Sequence, residues 1–172
     1  MTRRRGSPVR SRAAGRLPVW HRRLTYAVCG LVYASGVLWL LFHYGVTAHN
    51  DFGPARHPLE SWWLQLHGAA AMGFLIVLGS LLPGHIGEAW RLRRNFSTGV
   101  VMLAATAFLV VTGWGLYYLG SEPLRAWLGV GHWVIGAAGA PLLVLHRLLG
   151  RGQKERFAAR AARLPSALAP RR

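Results

Sequence analysis

Four apolar runs, each long enough to cross a bilayer, restrict what this chain can fold into more than any other feature. They cover residues 24–46, 62–82, 98–119 and 130–149. A hydrocarbon core about 30 Å thick needs about 20 consecutive apolar residues in a helix. Lipid offers no partner to an unpaired backbone amide, so each run must close its own hydrogen bonds as an α-helix. No strand pattern and no internal repeat competes with this reading. The expected fold is all-α: an integral membrane four-helix transmembrane bundle.

The basic residues set its expected orientation. The chain carries 21 Lys and Arg against 5 Asp and Glu, a formal charge of +16, yet only 15% of its residues are charged and 52% are hydrophobic. Eight Arg precede residue 26, three fall between residues 83 and 97, and eight Lys or Arg follow residue 146. Only Arg56 and Arg125 lie elsewhere. This alternation follows the positive-inside rule and puts both termini and the middle basic loop on the cytoplasmic side. Charge gathered at membrane boundaries speaks against a nucleic-acid partner, which would need it along one face. Residues 1–23 read as a basic cytoplasmic tail, residues 24–149 as the transmembrane domain and residues 150–172 as a second basic tail. In the second tail Phe157, Ala161 and Leu164 stand at helical spacing, so the tail is expected either to lie on the anionic inner leaflet or to be a frayed, solvated segment. The first run is too long for a signal-peptide core and lacks a small-residue cleavage site, so it is expected to be a retained helix.

The histidines carry the chemistry. Ionisable side chains inside a membrane span are functional hypotheses by default. His132 and His146, near the two ends of the fourth run, are 14 residues apart, about 40° short of four helical turns and roughly 21 Å along the axis. Both therefore leave nearly the same face of one helix, one towards each side of the membrane. The small residues Gly136, Ala137, Ala138, Gly139 and Ala140 between them leave room for a neighbouring helix or a flat ligand. With the topology above, His43, His67 and His132 fall near the outer side, and His21, His85 and His146 near the inner side. Each layer offers the two neutral imidazoles that bis-histidine haem ligation needs. In the outer layer His67 pairs best with His132, with His43 as the alternate. In the inner layer His146 pairs best with His85, with His21 as the alternate. Pro83-Gly84 is expected to end the second helix, which leaves the register between His67 and His85 open. The third run has no histidine and is expected to be scaffold. His49 and His57, in the polar loop of residues 47–61, are expected to be solvated. The single cysteine, Cys29, lies inside the first run. With no C-x-x-C-H motif present, haem would be held non-covalently, as b-type haem.

These residues resemble a known group. LHGAAAMG on the second run and HWVIGAAGAPLLVLH on the fourth are similar to the bacterial membrane cytochromes b of the cytochrome b561, hydrogenase b-type cytochrome and formate dehydrogenase gamma-subunit group. The resemblance covers roughly two-thirds of the chain. It implies two b haems, quinone chemistry near one face and electron transfer across the bacterial inner membrane. It matches His67 and His132 to one haem and His146 to one ligand of the other. The chain departs from the group on the first helix, where VWHRRLTYAV places Thr25 about where a ligand histidine would fall. The inner loop HIGEAWRLRRNFSTG resembles that of a smaller set of four-helix proteins.

The expected function is that of a dihaem b-type membrane cytochrome, passing electrons between the quinone pool and a partner redox protein. Haem iron would be bound through His67, His132, His85 and His146. Whether the chain is itself an enzyme turns on whether quinol is oxidised on it or on its partner. Arg91, Arg93 and Arg94 on the inner side, and Arg56 and Arg125 on the outer, are the cations available to haem propionates. Two other functions compete: a membrane anchor or assembly subunit with structural histidines, and a small metal-handling transporter. The second would normally add carboxylate, Cys or Met ligands, which are sparse here.

Overall fold

The computed structural model describes residues 18–51, 53–93 and 95–162. Expectations that fall on residues 1–17, on Arg94 and on residues 163–172, including Leu164, lie outside the described residues, as do the side chains of Phe157 and Ala161. Among the described residues, four helices are long and apolar enough to cross a membrane: Val19–Tyr44, Pro58–Arg91, Phe96–Tyr118 and Glu122–Gln153. The protein is an all-α, multi-pass membrane bundle.

Helix α1 (Val19–Tyr44) starts after Pro18 and stops at Gly45, whose N–H donates to the Leu41 carbonyl at 2.8 Å. The segment expected as a polar loop instead forms a hairpin: β1 (Thr47–Asn50) pairs antiparallel with β2 (Gly53–Arg56), Thr47 opposite Arg56 and Asn50 opposite Gly53. Its strands are too short to show period-two alternation in the sequence. Gly53 has φ +111°, a backbone region open essentially to glycine alone.

Helix α2 (Pro58–Leu81) has Pro58 in its first turn, where a missing N–H costs nothing, and His57 as its N-cap, accepting from the Leu59 N–H at 3.1 Å. Pro83 does not end this helix as the sequence suggests. The chain widens into a π-helical turn (Leu82–Ile86) and runs on as α3 (Gly87–Arg91). Proline lacks an N–H and its ring crowds the carbonyl four residues back, and one extra residue in the turn relieves both problems without breaking the rod.

Helix α4 (Phe96–Tyr118) follows a sharp reversal in which Arg93 and Asn95 take positive φ, 47° and 50°. Asparagine tolerates that conformation better than most residues. Helix α5 (Glu122–Ala162) is 41 residues long, about 60 Å. It absorbs the short loop expected before the fourth span and the first part of the C-terminal tail, and passes through Pro141 without ending.

The closest packing is α1 against α2 and α4 against α5, with lighter contact between α1 and α5. The bundle is therefore two antiparallel helix pairs, and α2 and α5 face each other without packing tightly. Among the described residues the buried ones are small or polar, Ser35, Glu60, Ala70, Val77, Thr112 and Gly115, while Ile76, Val111 and Trp127 among many large apolar side chains are well exposed. Such a surface would be a liability in water, but against acyl chains it is the ordinary outer face of a membrane bundle. One end of the bundle carries the hairpin. The other carries Arg22, Arg23, Arg91, Arg93, Arg147 and Arg151, all exposed, and is called the basic end below.

Candidate functional site

Helix α5 supplies His132 and His146, and α2 with its π-turn continuation supplies His67 and His85. Across the space between the two helix pairs, the ring centres of His67 and His132 are 6.2 Å apart, with planes at 83°. Nearer the basic end, those of His85 and His146 are 6.4 Å apart, with planes at 80°. The chain runs on as helix past Pro83 through the π turn, and His85, 18 residues or about five turns after His67, faces His146.

The rings of His67, His132 and His146 are held through Nδ1 by a neighbouring helix. The His67 Nδ1 lies 3.0 Å from the Val32 carbonyl and 3.2 Å from Ser35 Oγ on α1. The His132 Nδ1 lies 2.9 Å from Thr112 Oγ1 on α4, with the Leu109 carbonyl also in reach. The His146 Nδ1 lies 2.9 Å from Thr98 Oγ1 on α4. Asn95 Nδ2 crowds the same nitrogen at 3.1 Å, but its shorter bond, 2.7 Å, is to the His146 carbonyl. The backbone N–H of Asn95 in turn donates to Gln153 Oε1 at 2.9 Å, tying the start of α4 to α5. With Nδ1 engaged, Nε2 is the nitrogen each ring can offer to a metal.

The alternates go elsewhere. The His43 ring stacks on Trp39 with centres 4.6 Å apart, and its Nδ1 donates to the Glu60 carboxylate at 2.7 Å. Arg56 binds the same carboxylate oxygen at 2.5 Å, so His43 belongs to an ion cluster that fastens the hairpin to α1 and α2. His21 stacks on Trp20, and its Nε2 is 2.9 Å from Ser80 Oγ. That hydroxyl donates to the Val77 carbonyl at 2.6 Å, so it accepts from His21. Thr25 turns its hydroxyl back to the His21 carbonyl. His57 caps α2 and packs on Phe42. Among the cations considered for propionates, Arg56 is bound to Glu60 and Arg91 lies 3.7 Å from Glu88.

Sequence reasoning missed the hydroxyl groups on α1 and α4. A signal for them exists. Thr98-Gly99 and Thr112-Gly113 are 14 residues apart, the same interval as His132 and His146. Equal steps on two antiparallel neighbours bring both pairs into register at once. The third span is thus a source of histidine partners as well as scaffold. Trp63, one turn from His67 on α2, is a further omission. Its indole N–H is buried without a partner.

Among the described residues, no group of three or more His, Cys, Asp or Glu is placed to share a metal ion. The histidines come in twos. Fold and side chains together define a multi-pass membrane protein whose interior carries two facing imidazole pairs. No protein-family model, curated protein or solved structure matches the chain.

Proposed function

We propose that the protein is a dihaem b-type membrane cytochrome of the cytochrome b561-like group, working in a bacterial inner membrane with both termini cytoplasmic. The observation that carries this is the spacing of the two imidazole pairs. An axial bond of about 2.0 Å from metal to nitrogen, with about 1.1 Å more from nitrogen to ring centre, separates two trans imidazoles by about 6.3 Å. The measured separations of 6.2 and 6.4 Å bracket that value.

The donor set suits haem iron: two neutral nitrogens per site, no carboxylate, and an apolar surround. His67 and His132 would hold one haem, His85 and His146 the other. Bound haem supplies a one-electron iron couple at each layer. The chain's own residues orient the rings through Ser35, Thr112 and Thr98 and keep the ligand layers roughly 21 Å apart along α5. The unpartnered Trp63 N–H is a donor on offer to a propionate.

A quinone partner finds support at the basic end. A cavity of about 310 Å³ lies beside His146, lined by Asn95, Thr98, Leu148, Leu149, Gln153 and Arg156. Amide and guanidinium groups suit quinone oxygens, and the leucines suit its tail. Asn95 and Thr98 touch both the cavity and the His146 ring. A redox partner protein would take or supply the electrons at the other layer.

The test is a purification in mild detergent with haem supplied, followed by oxidised and dithionite-reduced spectra and a haem-per-chain assay. Two low-spin haems per chain are expected. A folded, colourless protein would refute the proposal and favour a non-redox anchor.

A further inference from the structure

His67, His132 and His146 are held in the same way. Ser35 is followed by Gly36, Thr98 by Gly99 and Thr112 by Gly113. In each case the hydroxyl bonds to the histidine Nδ1. In each case the glycine lies beside the ring, closely at Gly36 and Gly113 and at ordinary contact distance at Gly99. A Cβ on Gly36 would be 3.1 Å from His67 Cε1, one on Gly113 would be 3.3 Å from His132 Cε1, and one on Gly99 would be 3.9 Å from His146 Cε1. The residue three positions before the hydroxyl also takes part: the Val32 carbonyl at His67, the Leu109 carbonyl at His132 and the Asn95 side chain at His146.

The hydroxyl's own proton is spent inside its helix. Ser35 donates to the carbonyls of Leu31 and Val32 at 2.7 and 3.0 Å, and Thr112 to that of Phe108 at 2.8 Å. Thr98 donates to Asn95 Oδ1 at 2.8 Å. Each oxygen can therefore only accept from the imidazole. The backbone carbonyls of Val32 and Leu109 are acceptors by nature. At His67 and His132 the ring then carries its proton on Nδ1, which leaves the Nε2 lone pair free for a metal; at His146 the Asn95 Nδ2, itself a donor, competes for the same nitrogen at 3.1 Å.

We propose that the hydroxyl–glycine pairs Ser35-Gly36 and Thr112-Gly113 are two copies of one positioning unit that fixes the Nδ1–H tautomer and orientation of a haem-ligating imidazole, both serving the pair at the hairpin end, while Thr98-Gly99 holds the His146 ring in place. The proposal rests on the cytochrome proposal above. Its chemistry has a direct consequence. An acceptor on Nδ1–H makes the ring more basic towards iron and favours the ferric state. Removing one of the two acceptors at His132 should raise the potential of that haem and loosen it.

The experiment is a redox titration and haem-retention assay on full-length wild type, Thr112→Val and Thr112→Ser. Valine keeps the shape and loses the oxygen, whereas serine keeps the oxygen. Thr112→Val is expected to shift one haem component by about tenfold in its ferric–ferrous equilibrium, about 59 mV upwards, and to lower haem retention by about 10-fold or more. Thr112→Ser is expected to restore both. Ser35→Ala provides the same comparison at His67 should Thr112→Val fail to fold. Potentials unchanged in both variants would overturn the positioning unit while leaving the dihaem assignment intact. If wild type purifies colourless, the cytochrome proposal fails. Histidine ring ¹⁵N shifts of that same full chain then decide the unit: Nδ1–H at His132 that is lost in Thr112→Val supports it, and an unaltered tautomer overturns it.

Discussion

Replacing Gly36 by alanine tests the site through packing alone. The added Cβ would stand 3.1 Å from His67 Cε1 and 3.2 Å from Nδ1, whereas unstrained carbon contacts lie at about 3.5–4.0 Å. The ring must withdraw by roughly 0.5 Å, about the tolerance of a preorganised site. Withdrawal stretches its bonds to Val32 and Ser35, each worth about 1 kcal/mol net. Gly→Ala in a helix interior otherwise gains roughly 0.5–1 kcal/mol, so the variant needs a matched control. Gly30 lies on the same helix, and a Cβ there would meet nothing within 4 Å, so its replacement should show the helix gain alone. Gly36→Ala should therefore fall about 1–2 kcal/mol below Gly30→Ala in stability, and haem content should fall in Gly36→Ala alone. Thermal unfolding in detergent, with haem content followed in parallel, measures both. Equal melting temperatures and equal haem content in the two variants would refute the close approach of α1 to the His67 ring.

Four further outcomes are expected. Pro83→Ala restores an N–H and should let α2 continue as regular α-helix, in which His85, 18 residues or about five turns after His67, stays on the same face; two haems per chain should be retained, and loss of one would show that the π turn sets the second pairing. His132→Ala and His146→Ala should each remove a different haem component from the reduced spectrum, and loss of the same component in both would contradict the two-layer arrangement. Asn95→Gly keeps the left-handed backbone but loses the side-chain bonds at His146, whereas Asn95→Ala also strains the turn by roughly 1 kcal/mol; the melting temperature of the alanine variant should be the lower, while both should perturb the same haem component. Glu60→Gln weakens the bonds from His43 and Arg56, so limited proteolysis should cut the β1–β2 hairpin about fivefold faster, the equivalent of about 1 kcal/mol; an unchanged rate would mean the hairpin is held by other contacts.

Four long apolar runs and their basic flanks were enough to define a membrane bundle, because lipid leaves the backbone only one local solution for each run. The shared face of His132 and His146 on the fourth helix was equally legible, since a 14-residue interval on one rigid helix needs no tertiary information. The facing positions of His67 and His132 could be anticipated from their similar depth. The hairpin could not, because four-residue strands carry no readable period and the pairing depends on the turn at Gly53. Nor could the fate of Pro83, where a break and a π turn satisfy the same local constraint and packing of the continued helix chooses between them.

What the sequence by itself determined was the number of membrane spans and the shared face of His132 and His146 on the fourth; helical geometry is local, and periodicity reports it. Tertiary structure alone decided which imidazoles meet, that His43 turns to Glu60 and His21 to Ser80, and that hydroxyls on α1 and α4 hold the rings of α2 and α5. Those outcomes depend on the rotation and axial shift of one helix against another. Both are set by many weak contacts summed across the bundle, and a single helix's sequence does not record them.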